Sequence, residues 1–257
     1  MERIYMRAKR VQKMEEYIYE NQLVTLNQLC EEFNVSKSTV RRDIDEIVEK
    51  GNVEKVYGGV SANGHRKLIA FNERDVKNLV PKQKIAAKAS ELVEDGDIIF
   101  IDSGTTTKHM IDYINDKQNL TILTNNLKVI TQAIPYENLN IISLSGTLNR
   151  KTLSFTGQSA VDVLQDYNIC KAFMAATGVS IEKGVTNSSL LEYSIKKAVV
   201  KRSQLVCLLA DSSKFGEVSL MTYCNLDQVD VLISDSTPPK DYINLFANYG
   251  HKILVTE

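Results

Sequence analysis

Apolar residues recur along this chain at two different periods. In the first part the period is that of helices. Val11, Met14 and Ile18 share one face of a stretch from about Arg7 to Glu20, and Leu26, Leu29, Cys30 and Phe33 fall at i, i+3, i+4 and i+7. Thr25 followed by Gln28 has the spacing of a capping box that opens the second helix. Asn34-Val35 makes a turn, and Ser36 is a suitable N-cap for a third helix, KSTVRRDIDEIVEK, ending at Gly51. Val40, Ile44, Ile47 and Val48 of that helix point inward. Val53, Val56 and Val60 then alternate around Gly58-Gly59, as in a short β-hairpin.

From about residue 81 the texture changes. Short apolar runs at Asp97–Ile101, Leu120–Leu123, Asn140–Leu144, Ala172–Ala176, Leu205–Ala210, Val229–Ile233 and Ile253–Thr256 alternate with helical stretches. Those helices include Pro81–Val93, Thr106–Ile114, Ser159–Gln165 and Leu190–Ser203. Runs such as IIFI and LVCLLA are apolar on both faces, which suits parallel strands covered by helices on each side. The pattern predicts two domains: a trihelical head with a β-wing over residues 1–60, and an α/β domain over 81–257. Residues 61–80 are read as a linker with a connecting helix.

Composition narrows the class. The 257 residues are 43% hydrophobic and 25% charged, with a net charge of −1, so any contact with nucleic acid must rest on local placement of charge. The four cysteines are scattered without metal-ligand spacing and read as reduced thiols; the sequence calls for neither a metal nor a cofactor. The charged N-terminus has no apolar signal core, and no apolar run approaches the ~20 residues of a membrane span, so a cytoplasmic protein without membrane contact is expected.

Two segments carry candidate chemistry. The first turns of the third helix present Ser38 and Arg42, flanked by Lys37, Thr39 and Arg41, while the acids Asp45, Glu46 and Glu49 lie further along. Arginine pairs with a guanine edge in bidentate fashion, and hydroxyls and helix N-terminal amides hold phosphates, so this surface suits the major groove. Lys55 and Tyr57 on the wing are positioned for phosphate or the minor groove. The second segment is DGDIIFIDSGTTTKHM, in which a buried strand ends at Asp102 and Ser103, Gly104, Thr105, Thr106 and Thr107 lead into a helix. A glycine lets backbone approach an anion, and hydroxyls and amides donate to phosphate oxygens. Polar clusters follow other strands too: Thr124-Asn125-Asn126, Gly146-Thr147, Thr177-Gly178 and Asp211–Gly216. A sugar-phosphate isomerase or deaminase with a DNA-binding appendage is the rival reading, with Asp102, Asp211 and Lys214 as candidate proton carriers and His109 assigned to packing or surface.

The segment FNVSKSTVRRDIDEIVEKGNVEKVYGGV resembles the helix-turn-helix of the DeoR family, through Val35, Ser36, Thr39, Arg41, Arg42, Asp43, Gly58 and Gly59. Ile44 stands where leucine is usual, Lys55 where arginine is, and Tyr57 where histidine is. EDGDIIFIDSGTTT, LTILTNN, LSGTLN, FTGQSA, KAFMAATGVS, KGVT and DSSKFG run in the order of that family's sensor domain, with Ser145-Gly146 replacing a usual Gly-Gly. The resemblance implies a winged helix-turn-helix joined to an α/β sensor domain similar in fold to ribose-5-phosphate isomerase. It implies that Ser36, Lys37, Ser38, Thr39, Arg41 and Arg42 face operator DNA. It further implies that Asp102–Thr107, Thr124, Asn125 and Lys214 line a site for a phosphorylated sugar. A repressor of a sugar-catabolism operon, acting as a homo-oligomer (dimer or tetramer), is the function expected.

Overall fold

The computed structural model describes residues 2–21, 23–49, 53–56, 58–62 and 69–256. They form two compact units, 1–67 and 68–257.

In the first unit α1 (Glu2–Asn21) is followed by β1 (Leu23–Thr25), α2 (Leu26–Phe33), α3 (Lys37–Glu49), β2 (Val53–Val56) and β3 (Gly59–Ala62). The Thr25/Gln28 capping box is formed: Gln28 N–H donates to Thr25 Oγ1 at 3.2 Å and Thr25 N–H to Gln28 Oε1 at 2.9 Å. Asn34, with φ 49° and ψ 49°, makes the left-handed turn that ends α2. The predicted stop at Gly51 lies outside the described residues. The wing gains an unforeseen strand, because β1 pairs antiparallel with β3 and gives the sheet order β1-β3-β2. Gly59 has no room for a side chain there, since a Cβ would lie 2.2 Å from the Val24 carbonyl oxygen. Val11, Met14, Ile18, Leu29, Val40, Ile44 and Ile47 bury together beneath that sheet, with Val24, Val53 and Val60.

Asp43 is the polar exception in this core. It is 1% exposed, and its Oδ2 accepts from Arg10 Nε at 2.7 Å while Oδ1 lies 3.4 Å from Arg7 Nε. Arg7 also pairs with Glu46 at 3.0 Å, so carboxylates of α3 are clamped to α1.

The second unit is built on a seven-stranded parallel sheet. Its chain runs α4 (Phe71–Asp75), α5 (Leu79–Ser90), β4 (Ile98–Ile101), a 3₁₀ turn at Thr107–Met110, α6 (Ile111–Ile114), β5 (Leu120–Thr124), α7 (Leu127–Ala133) and β6 (Leu139–Ser143). There follow the hairpin β7 (Thr147–Asn149) and β8 (Ser154–Thr156), α8 (Gln158–Leu164), β9 (Lys171–Ala175), β10 (Gly178–Ser180) and β11 (Gly184–Asn187). It closes with α9 (Leu190–Arg202), β12 (Leu205–Leu209), β13 (Met221–Cys224), β14 (Val231–Ser234), α10 (Lys240–Tyr249) and β15 (Lys252–Val255). The sheet order is β15-β14-β12-β9-β4-β5-β6, and β10, β11 and β13 form a separate antiparallel sheet. Alternate residues of the parallel strands serve opposite faces: Phe100 joins Leu123, Ala172 and Leu208 in one core, whereas Ile99 and Ile101 join Ile122, Phe173 and Cys207 in the other.

From β4 the chain steps outward to β5 and β6, then returns to place β9 on the other side of β4. The strand order therefore reverses between β4 and β9. Open parallel sheets bind ligands at the carboxyl ends of strands flanking such a switch.

Candidate functional sites

Two sites follow from this frame, one in each unit. At the start of α3, Lys37, Ser38, Arg41 and Arg42 are exposed, as is Ser36 just before it, and Thr39 is half-buried. The hydroxyls are already arranged: Ser36 Oγ lies 2.9 Å from Ser38 Oγ and 3.0 Å from Thr39 Oγ1, and accepts from Thr39 N–H at 3.3 Å. Among the described residues neither Arg41 nor Arg42 enters an ion pair. Their guanidiniums stand in solvent beside the first turn. The wing differs from expectation in one respect. Lys55 pairs with Asp45 of α3, both well exposed; such a pair contributes at most ~1 kcal/mol and yields readily to a phosphate. Tyr57 lies outside the described residues.

The second site sits at the carboxyl ends of β4 and β9. Asp102 is fully buried there. Its Oδ1 accepts from Ser103 N–H at 2.8 Å, and its Oδ2 accepts from Ala175 N–H at 2.9 Å across the switch and from Lys196 Nζ. Lys196 also donates to the Ala175 carbonyl at 3.1 Å and lies over the Tyr223 ring, 5.1 Å from its centroid. Desolvation pushes the Tyr223 phenol well above its ordinary pKa, and it donates to the same carbonyl at 3.0 Å.

The loop after Asp102 turns tightly because of its glycine. A Cβ at Gly104 would lie 2.3 Å from the Ala175 Cβ. Among the described residues nothing accepts from the amides of Gly104, Thr105 or Thr106, which leaves three consecutive N–H donors for an anion. Ser103, Thr105 and Thr106 are each at most 6% exposed. Thr107 and Thr124 turn inward instead: Thr107 Oγ1 donates to the Asp102 carbonyl at 2.7 Å, and Thr124 Oγ1 to the Ile101 carbonyl at 2.6 Å. They shape the loop from behind. The helix expected at Thr106–Ile114 begins as a 3₁₀ turn, drawn tight by these bonds and by His109 N–H donating to the Thr106 carbonyl at 3.2 Å.

Asn125 donates to the Phe155 carbonyl at 3.3 Å, but among the described residues its buried Oδ1 has no partner. Asn126 Nδ2 reaches the carbonyls of Asp102 and Gly104 at 3.2 and 3.3 Å, tying β5 to the loop. Lys214 lies 4.0 Å from Asp211 Oδ2, which accepts no hydrogen bond among the described residues. Asp211 Oδ1 accepts from Asn78 Nδ2 at 3.1 Å. Ser145 is exposed; it is Gly146, at φ 133°, that abuts the Thr156 backbone, where a Cβ would lie 2.4 Å from its carbonyl oxygen. His109 packs inward, 5% exposed, and burial lowers its pKa.

Several charged residues near this site escaped the sequence reading. Lys82 is 5% exposed, its Nζ donates to the Arg74 carbonyl, and burial lowers its pKa to about 8, against the pull of Asp211. Arg74 is half-buried, its Nε donates to the Ile69 carbonyl at 3.2 Å, and burial lowers its pKa while Glu192 and Asp102 oppose that. Glu192 and Lys196 are 4% and 2% exposed. A signal did exist. The buried faces of α5 (Lys82, Ile85, Ala86, Ala89, Ser90) and α9 (Glu192, Ile195, Lys196, Val199, Val200) both follow i, i+3, i+4, i+7, i+8, with charged residues inside the apolar stripe.

Residues 10–66 match the model of the DeoR-like helix-turn-helix domain, and residues 77–236 that of the DeoR C terminal sensor domain. The chain is 46% identical over 243 residues to the HTH-type transcriptional regulator IolR of Bacillus subtilis (strain 168), covering 95% of this chain and 96% of that one. It is 26% identical to the Glycerol-3-phosphate regulon repressor of Escherichia coli (strain K12), covering 91% and 93%. Among solved structures, ribose 5-phosphate isomerase A from Methanocaldococcus jannaschii aligns over 52% of this chain and 53% of its own, at 19% identity and a TM-score of 0.39. Among the described residues no helix is long and apolar enough to cross a membrane.

Proposed function

The chain belongs to the DeoR family of transcriptional regulators, and on that premise we propose that it is a repressor of a sugar-catabolism operon, released from its operator by a phosphorylated sugar. Regulation is the output of the pocket, not turnover: its relatives are named as regulators and repressors.

The observation that carries the sensing half is the row of free amides at Gly104–Thr106, set at the β4/β9 switch. A phosphate there accepts from those amides and from the hydroxyls of Thr105 and Thr106, while Ser103 Oγ donates to Asp102 Oδ1 at 3.3 Å and steadies the start of the loop. Lys214, Lys82 and Arg74 add positive charge: Lys214 lies 4.0 Å from Asp211 Oδ2, and the Lys82 and Arg74 side chains donate to the Arg74 and Ile69 carbonyls. Asn125 Oδ1 and Asp211 Oδ2 are acceptors awaiting donors, which sugar hydroxyls supply.

The DNA half rests on Ser36, Lys37, Ser38, Thr39, Arg41 and Arg42, with Lys55 and Tyr57 contributing from the wing. One head reads few base pairs, so the regulator acts as a homo-oligomer on paired half-sites. The effector must bind the released arrangement more tightly than the operator-bound one.

Thr106→Val tests the assignment. It removes a hydroxyl without changing side-chain size, and a repressor that still binds operator but no longer responds to sugar phosphates in a gel-shift titration is expected. A normal response would place the effector elsewhere.

A further inference from the structure

Glu192 is a carboxylate buried to 4% exposure, one turn before Lys196 on the inward face of α9. Its Oε1 accepts from Ser154 Oγ at 2.7 Å, and its Oε2 from Asn187 Nδ2 at 3.3 Å. Among the described residues no ion pair reaches it. A carboxylate has about four acceptor positions, so two remain unused, and a buried charge without a counter-ion is costly to keep.

Its surroundings locate it at the effector site. Ser154 bridges to Asn126, and neighbouring Phe155 exchanges hydrogen bonds with Asn125, its N–H donating to the Asn125 carbonyl at 2.8 Å. Asn187 lies against Thr177 at the end of β9, and Lys196 binds Asp102. Through Ser154 Glu192 thus reaches the segment paired with the end of β5, where the orphan Asn125 acceptor lies, and through Asn187 it reaches the end of β9, while Lys196, one turn on, binds Asp102 at the start of the loop. Arg74 feels its charge and that of Asp102 together.

We propose that Glu192 is a specificity-determining residue of the effector site, accepting hydroxyl hydrogens from the unphosphorylated end of a polyhydroxylated ligand. This rests on the effector-site reading above. The loop amides serve any phosphate monoester; Glu192 distinguishes a polyol phosphate from a phosphate without hydroxyls. A hydrogen bond to a charged acceptor is roughly twice as strong as a neutral one, and a site built around a hydroxyl strongly rejects the analogue that lacks it.

The test uses the full-length protein and calorimetric titration with inorganic phosphate and with a panel of pentose and hexose monophosphates, the tightest of which is carried forward. Glu192→Gln is expected to weaken that sugar phosphate by about 10-fold or more while leaving inorganic phosphate within twofold of wild type. Equal losses for both ligands, or no loss for either, would overturn the proposal. A second arm needs no variant: wild type should bind at least one monodeoxy analogue of the chosen sugar phosphate about 10-fold more weakly, and uniform affinity across the deoxy series would overturn it. Failure of inorganic phosphate to compete with the sugar phosphate in wild type would instead sink the phosphate-loop reading itself.

Discussion

Replacing Asp43 by alanine should loosen the DNA-binding unit while leaving the sensor unit unchanged. The carboxylate is 1% exposed and holds Arg10 at 2.7 Å and Arg7 at 3.4 Å. Both arginines keep access to water, with side chains 27% and 51% exposed, so neither becomes a buried unpaired charge when the carboxylate goes. The Arg10 contact is a charge-assisted hydrogen bond, for which ~1.5–3 kcal/mol is usual. The Arg7 contact is long and exposed, and is discounted to at most ~1 kcal/mol. Removing the desolvated carboxylate offsets part of this, so a net loss of about 2 kcal/mol is expected, equivalent to roughly a 30-fold rise in the opening equilibrium. Hydrogen exchange on the full chain resolves the two units. Amides around the buried Ile44 and Ile47 of α3 should exchange about 30-fold faster, in step with the opening equilibrium, while those of β4 and β9 stay at wild-type rates. Unchanged α3 protection would refute the idea that this clamp sets the pose of α3. Equal loosening of both units would show that the effect is not local.

Lys82 makes a pH prediction. Its folded pKa of about 8 lies below the ordinary 10.5, so between those values the unfolded chain keeps a proton that the folded one has lost. Stability from this group therefore rises with pH through that window, and wild type should gain on Lys82→Met in urea midpoint there; a constant difference would contradict the buried ammonium. The buried thiols of Cys207 and Cys224, pushed up to about 12 by burial, should resist alkylation at pH 8 in the native protein, with Cys30 and Cys170 the faster pair under mass-spectrometric labelling.

Much of this was legible in the sequence, for a physical reason. The parallel strands are buried on both faces, so runs such as Ile98–Ile101 and Leu205–Leu209 stand out as continuous apolar stretches. The helices of the head show themselves by period, cap and turn. What escaped were elements with weak local signals: β1, β7, β8, β10, β11 and β13 are only three or four residues long, and β1 and β13 pair with strands far along the chain. Helices α7 and α10 sit in mixed polar stretches that resemble loops. At the candidate site, the Ser103–Thr107 loop was visible because glycine and hydroxyls cluster within a few residues. Arg74, Lys82, Glu192 and Lys196 were passed over, because charged residues within helices usually face water, although Lys82, Glu192 and Lys196 fall inside the apolar stripes of α5 and α9.

The central claim is that the exposed start of α3 reads duplex DNA, and its most direct test is the ratio of operator to scrambled-duplex affinity, measured at fixed salt for wild type and Arg42→Ala. If Arg42 pairs with a base edge, the ratio should fall by an amount worth ~1–3 kcal/mol, with scrambled-duplex affinity little changed. An Arg42→Ala protein that keeps the wild-type ratio would contradict the account.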